Sequence, residues 1–223
     1  MNKFYFDKDA ANKAIGFIEQ FITHTKGELS GKKLKLEDWQ KKIVGDIFGW
    51  KNKETELRKY RTVFILLGRK NGKSTLCAAI GLYMLFADEE RGSEVYSAAG
   101  DRQQAGIVFE IAKGMILQSP ELSQRGKVFR NSIVNESKGN FYQAISADSK
   151  TKHGFNANCI IFDELHTQPN RDLWDVLVTS TGSRRQPLTI AITTAGYDKQ
   201  SICYEIYSYA KKVSDKVIKD DSF

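Results

Sequence analysis

The chain has 223 residues, 41% hydrophobic and 27% charged, a balance that suits one well-buried globular domain with a small appendage and leaves no room for two full catalytic domains. No apolar run approaches the roughly 20 residues of a membrane span, and the N-terminus MNKFYFDKDA lacks the basic, apolar, small order of a signal peptide. A formal net charge of +7 fits either a polyanionic partner or a solvated basic surface.

Three cysteines, Cys77, Cys159 and Cys203, have no CxxC spacing and read as reduced, packed thiols of an intracellular protein. His24, His153 and His166 show no metal-ligand spacing. Ile15, Ile18 and Ile22 recur at spacings of three and four, which predicts an amphipathic helix from about Asn12 to Thr25. The charged stretch KGELSGKKLK is a loop. A second helix is expected from Glu37 to Phe48, with Trp39, Ile43, Ile47 and Phe48 on one face.

From Thr62 the pattern changes to short apolar runs alternating with helical stretches. TVFILL reads as a buried strand, followed by a loop and a helix from about Gly72 to Phe86. SEVYSAA is a strand and Arg102 to Leu117 a helix. VFRNSIVNE and NFYQAIS are strands with a turn at Ser137 to Gly139. CIIFDE and PLTIAITT are strands, and a helix follows from Ser201 to Val213. This alternation predicts an α/β fold with a mostly parallel sheet covered by helices on both faces. Ligands then gather at the C-terminal ends of the strands.

GRKNGKST sits at such an end, between a strand and a helix. A Gly-rich turn there aims backbone N–H groups at phosphates, and the helix N-terminus adds partial positive charge. The expected nucleotide-binding set is Gly68, Arg69, Lys70, Asn71, Gly72, Lys73, Ser74 and Thr75. Lys73 is assigned to the β/γ oxygens and the Ser74 hydroxyl to Mg²⁺. The pattern departs from GxxxxGK[ST] in having Leu67 where the first glycine stands, with Gly68 one residue later. Arg69 is either an internal arginine finger or a surface charge.

CIIFDE places two carboxylates at the end of a hydrophobic strand, with Asp163 lying 163 − 73 = 90 residues beyond Lys73. Asp163 fits the metal-holding role and Glu164 that of the base orienting a water. The pair predicts hydrolysis rather than transfer to a bound acceptor.

With their flanks, these motifs resemble the ATPase domain of the large terminase subunit of tailed bacteriophages, over about Leu36 to Val213. LEDWQKKIVGDIFGW resembles the adenine-side motif, which implies that Trp39 and Gln40 border the base. GRKNGKST resembles the family's altered phosphate loop, and VYSAAGDRQQA the segment after its second strand. KHGFNANCIIFDELH resembles the run into the acidic motif. ITTAG resembles the coupling motif, which assigns coupling to Thr193 and Thr194. The resemblance implies a P-loop NTPase of the ASCE/RecA-like type using ATP and Mg²⁺. It further implies double-stranded DNA, a portal protein and a small terminase subunit as partners, and a homo-oligomeric ring on the portal. The host cytoplasm and the procapsid portal are the implied locations. The expected division is an N-terminal helical segment over 1–60, an ATPase core over 61–200 and the start of a linker subdomain over 201–223. The RNase H-like nuclease of the family is not expected in this chain, since Asp220 and Asp221 alone cannot form a two-metal site.

DELH also resembles the DExH box of superfamily 2 helicases, which need a second RecA-like domain. A nucleotide-gated nucleic-acid-binding module without turnover is the other alternative. Arg184 and Arg185, in the loop TGSRRQP before the coupling strand, are candidate fingers for a neighbouring subunit, with Arg69 the alternative in cis. Lys150, Lys152, Arg184 and Arg185 are expected to face DNA or a neighbour through salt-sensitive contacts.

Overall fold

A computed structural model describes residues 3–147, 154–194, 196 and 198–223; Lys150 and Lys152 lie outside the described residues. The N-terminal segment begins with a short strand, β1 (Phe4–Phe6), and a helix, α1 (Lys8–Phe21). The helix starts about four residues earlier than periodicity predicts because Asp7 caps it, accepting from the amides of Asp9 and Ala10 at 3.0 Å. It ends earlier because Ile22 turns extended, its carbonyl accepting from Leu34 N at 2.9 Å. Helix α2 (Asp38–Gly49) follows, and then β2 (Trp50–Asn52), which pairs antiparallel with β1.

The core comprises β3 (Thr62–Leu66), α3 (Lys73–Phe86), β4 (Glu94–Ala99), α4 (Arg102–Leu117), the single-turn α5 (Pro120–Ser123), β5 (Lys127–Val128), β6 (Ser132–Asn135), β7 (Asn140–Ser146) and β8 (Ala157–Asp163). It is completed by α6 (Asp172–Thr179), β9 (Leu188–Thr193) and α7 (Ile202–Ser214). The seven-stranded sheet has the order β3-β9-β8-β4-β7-β6-β5. Its first five strands are parallel, and β6 and β5 add an antiparallel edge. The turn at Ser137 to Gly139 makes β6 and β7 a hairpin, so this edge needs no crossover helix.

Side-chain alternation splits the sheet into two dry faces. Val63 and Ile65 of β3, Cys159 and Ile161 of β8, and Ile190 and Ile192 of β9 pack with α1 to α4. Phe64, Ile160, Phe162 and Ala191 point the other way, onto Leu173, Trp174 and Leu177 of α6 and Ile202 and Cys203 of α7. Helix α3 is buried nearly all round between the sheet and its neighbours, which explains why its sequence is apolar on every side. The three cysteines are buried and free. Among the described residues, no helix is long and apolar enough to cross a membrane.

Candidate nucleotide site

Three chain reversals build the site, at the C-terminal ends of β3, β8 and β9. After β3 the chain turns through Lys70, with φ +66°, and Gly72, with φ +69°, and enters α3 at Lys73. Gly72 holds the N-cap position, where the left-handed conformation favours glycine. No side chain caps this helix among the described residues, so its first-turn N–H groups form an anion-binding end. Asn71 braces the loop by donating to Gly68 O at 3.2 Å. Arg69 and Lys70 are exposed on its outer side.

Alternation along β8 directs Asp163 to the same face as Cys159 and Ile161, and so toward the start of α3. There its Oδ2 accepts from Ser74 Oγ at 2.9 Å. Its Oδ1 is buried and has no partner among the described residues. Burial raises the Asp163 pKa above the ordinary value, while the Ser74 hydrogen bond pulls the other way. A buried carboxylate with a free oxygen beside a hydroxyl has the donor set and the electrostatic need for a hard cation.

Lys73 is 6% exposed and its ammonium has two weak partners, Gly68 O at 3.2 Å and Glu164 Oε1 at 3.5 Å. Glu164 adopts φ +49°, an unusual conformation for a residue with a side chain, and it turns the chain off the strand. That twist takes Glu164 out of strand alternation and sets its Oε2 against Thr194, whose N and Oγ1 donate at 3.1 and 3.2 Å. Thr193 Oγ1 donates to Thr194 O at 2.8 Å, and Leu67 N donates to Thr193 O at 3.1 Å. The phosphate loop, the acidic strand end and Thr193–Thr194 thus share one hydrogen-bonded unit.

Gln40, buried in the first turn of α2, comes within 3.7 Å of where a Cβ on Gly72 would lie. Its Oε1 accepts from Glu37 N at 3.0 Å, closing half of a capping box. Only the Nε2 end is therefore free to meet a base. For both ends of the amide to pair with a base, that cap would have to open. Trp39 is 37% exposed beside it rather than packed in the core. Thr75 is half-buried on the first turn of α3.

Arg184 and Arg185 lie before β9, at the end of the sheet opposite the phosphate loop of their own chain. Arg184 is committed there: its Nε donates to Asn156 O at 2.8 Å, Nη2 to Gly92 O at 2.6 Å, and Nη1 pairs with Glu90 at 3.4 Å. A guanidinium with three partners does not reach a neighbour without breaking them. Arg185 is exposed. Sequence reasoning assigns no role to His166, whose ring lies between Glu164 and Thr193. Its presence in DELH was the only signal.

A parallel sheet with a glycine-capped loop after one strand and a buried aspartate at the end of another defines an α/β P-loop nucleotide-binding fold of the ASCE type. The family model for the terminase large subunit, ATPase domain, matches residues 38–212, and the chain belongs to that family. It is 31% identical over 191 residues to the terminase large subunit of Enterobacteria phage HK97, covering 82% of this chain and 36% of that protein. It is 25% identical over 207 residues to the terminase large subunit of Lactococcus phage SK1, covering 84% of this chain and 38% of the relative. The chain therefore spans under two fifths of these curated relatives. The crystal structure of the HK97 large terminase superposes with a TM-score of 0.77 at 26% identity, over 92% of this chain and 42% of that one. The ATPase domain of the Thermus phage P74-26 large terminase shares the fold, with a TM-score of 0.58 at 18% identity over 91% of this chain and 74% of that one.

Proposed function

We propose that this chain hydrolyses ATP with Mg²⁺ as the motor of a terminase that moves double-stranded DNA into a procapsid. The observation that carries the reading is the convergence of Ser74, Asp163, Lys73 and Glu164 within hydrogen-bond or ion-pair reach at one helix N-terminus. Ser74 and Asp163 would hold the metal, which when bound neutralises phosphate charge. The loop N–H groups from Gly68 to Gly72 and the start of α3 cradle the phosphates. Lys73 has exchangeable partners, so an incoming phosphate can replace both at little cost. Glu164, released at Oε1 but held at Oε2, then orients and deprotonates the attacking water. Trp39 and the Gln40 Nε2 border the base. Because N7 is an acceptor in both adenine and guanine, a contact through Nε2 alone discriminates weakly between ATP and GTP.

The same reading assigns Thr193 and Thr194 to coupling, since Thr194 grips the carboxylate that acts and Thr193 links Thr194 to the Leu67 amide. For a finger from a neighbouring subunit, the exposed Arg185 is the better candidate than Arg184, and Arg69 is the choice in cis. A ring on the portal, a small-subunit partner, action in the host cytoplasm and a nuclease in the parent protein complete the proposal. Phosphate release in a single turnover tests it: wild type should hydrolyse bound ATP, Glu164→Gln should bind without hydrolysing, and Lys73→Ala should bind poorly. Equal rates in wild type and Glu164→Gln would remove the catalytic assignment.

A further inference from the structure

We propose that His166 is a positioning residue that locks the Glu164 carboxylate, acting through the tautomer that carries its proton on Nδ1. The inference rests on the hydrolytic role proposed for Glu164. His166 Nδ1 stands 2.9 Å from Thr193 Oγ1 and 3.3 Å from Glu164 Oε2. Glu164 as a carboxylate can only accept. Thr193 has given its one hydroxyl proton to Thr194 O, at 2.8 Å, so toward His166 it too can only accept. Both neighbours of Nδ1 being acceptors, the proton between them belongs to the imidazole. Nδ1–H therefore donates to Thr193 Oγ1 and faces Glu164 Oε2, and Nε2 is the ring nitrogen left without a proton in the neutral side chain.

Two hydrogen bonds, from the N–H and hydroxyl of Thr194, meet at Oε2 of Glu164, and His166 Nδ1 stands against the same oxygen at 3.3 Å. Among the described residues the other oxygen, Oε1, meets only Lys73, at 3.5 Å. Once phosphate recruits Lys73, Oε1 alone remains to face water. The donors thus choose which oxygen acts as base and hold it against rotation. Backbone geometry fixes the imidazole in turn. His166 lies in a 3-10 turn directly after the left-handed Glu164, and a Cβ on Gly196 would stand 2.9 Å from His166 Cβ. Any larger residue at 196 would push the ring off its acceptors. On the far side of Thr193, the Cys203 thiol of α7 approaches Oγ1 at 3.8 Å, so the clamp also touches α7.

The test uses the full chain, with Glu164→Gln as the reference for the underlying reading. In His166→Leu, single-turnover hydrolysis should fall by about ten- to a hundredfold, the scale of a misplaced reacting group, while affinity for a non-hydrolysable ATP analogue stays unchanged. His166→Asn should recover most of the rate, because its amide nitrogen can occupy the Nδ1 position as a donor. A merely structural histidine would show no such rescue. Independently of turnover, ¹⁵N NMR of the nucleotide-free wild-type chain should report the Nδ1–H tautomer at His166, assigned by the signal missing from His166→Asn. An Nε2–H tautomer, a wild-type rate in His166→Leu, or an Asn variant as slow as Leu would each overturn the proposal. If Glu164→Gln is inactive while His166→Leu is normal, the positioning role alone falls. If Glu164→Gln hydrolyses like wild type, the hydrolytic reading falls with it.

Discussion

The two ends of the central sheet both bury charge, and they use it in opposite ways. At the N-terminal ends of the strands, Arg58 pairs with Asp88 at 2.5 Å, donates to Gln186 O, and lies over the Phe48 ring at 5.6 Å. Arg184 bridges Asn156, Gly92 and Glu90 beside it. These guanidiniums tie together the segments entering β3, β4, β8 and β9. At the C-terminal ends stands a lysine with distant partners, an aspartate with a free oxygen and a glutamate in a left-handed conformation. A rigid guanidinium fork fixes several chain segments at once, whereas an ammonium on a flexible stem changes partners readily. Buried charge is structural where its partners are many and close, and functional where they are few and replaceable.

Five changes probe that contrast. The largest effect is expected at the upper end: Glu164→Gln should slow hydrolysis by about 10² to 10⁴, the usual weight of a general base. Its thermal melting should stay near that of wild type, since no ion pair of short length is lost. At the lower end Asp88→Ala should do the reverse, lowering stability in urea by about 3–5 kcal/mol because it strands a buried guanidinium. Nucleotide affinity of the folded protein should be unchanged. A large loss of affinity with little loss of stability would break the comparison.

Arg184→Ala should cost about 1–3 kcal/mol by removing charge-assisted hydrogen bonds to Asn156 O and Gly92 O. Mixed with inactive Glu164→Gln chains, Arg185→Ala should allow restored turnover if Arg185 is the neighbour's finger, and activity per chain should rise with protein concentration. A dead mixture and a concentration-independent rate favour Arg69 in cis. The smallest effect is away from both ends. Asp7→Ala should cost about 1 kcal/mol through the lost cap of α1. The Lys51 contact and the capping amides hold the Asp7 carboxyl below its ordinary value of 3.8. The stabilisation is therefore present above that value and lost as pH falls through the lower folded one. Urea midpoints of wild type and variant should converge in strong acid.

Much of the fold was legible because the signals are local. Apolar runs of strand length, the Gly72-Lys73-Ser74 turn and the Asp163-Glu164 strand end each lie within a few consecutive residues. The segment from 165 to 186 was less legible: α6 is short, and its buried Leu173, Trp174 and Leu177 make too brief a period to stand out. The β1–β2 pair was missed because three-residue strands carry no alternation worth reading. The expected site residues cluster within short motifs, but the links from Glu164 to Thr194 and from His166 to Thr193 join residues 30 and 27 positions apart.

The sequence by itself determined the class of the fold, the phosphate loop and the carboxylates at the strand end, because backbone chemistry and side-chain type act within single elements there. Only the tertiary structure decided which of those charges is free to act. Arg184 lies in the loop before β9 and Lys73 opens α3; packing surrounds the first with fixed acceptors and leaves the second with two loose ones. The same holds for Gln40, whose carbonyl is spent on its own helix cap, and for His166, whose ring meets Glu164, just past β8, and Thr193 of β9. A hydrogen bond needs both partners within about 3 Å, and only the folded chain supplies that distance.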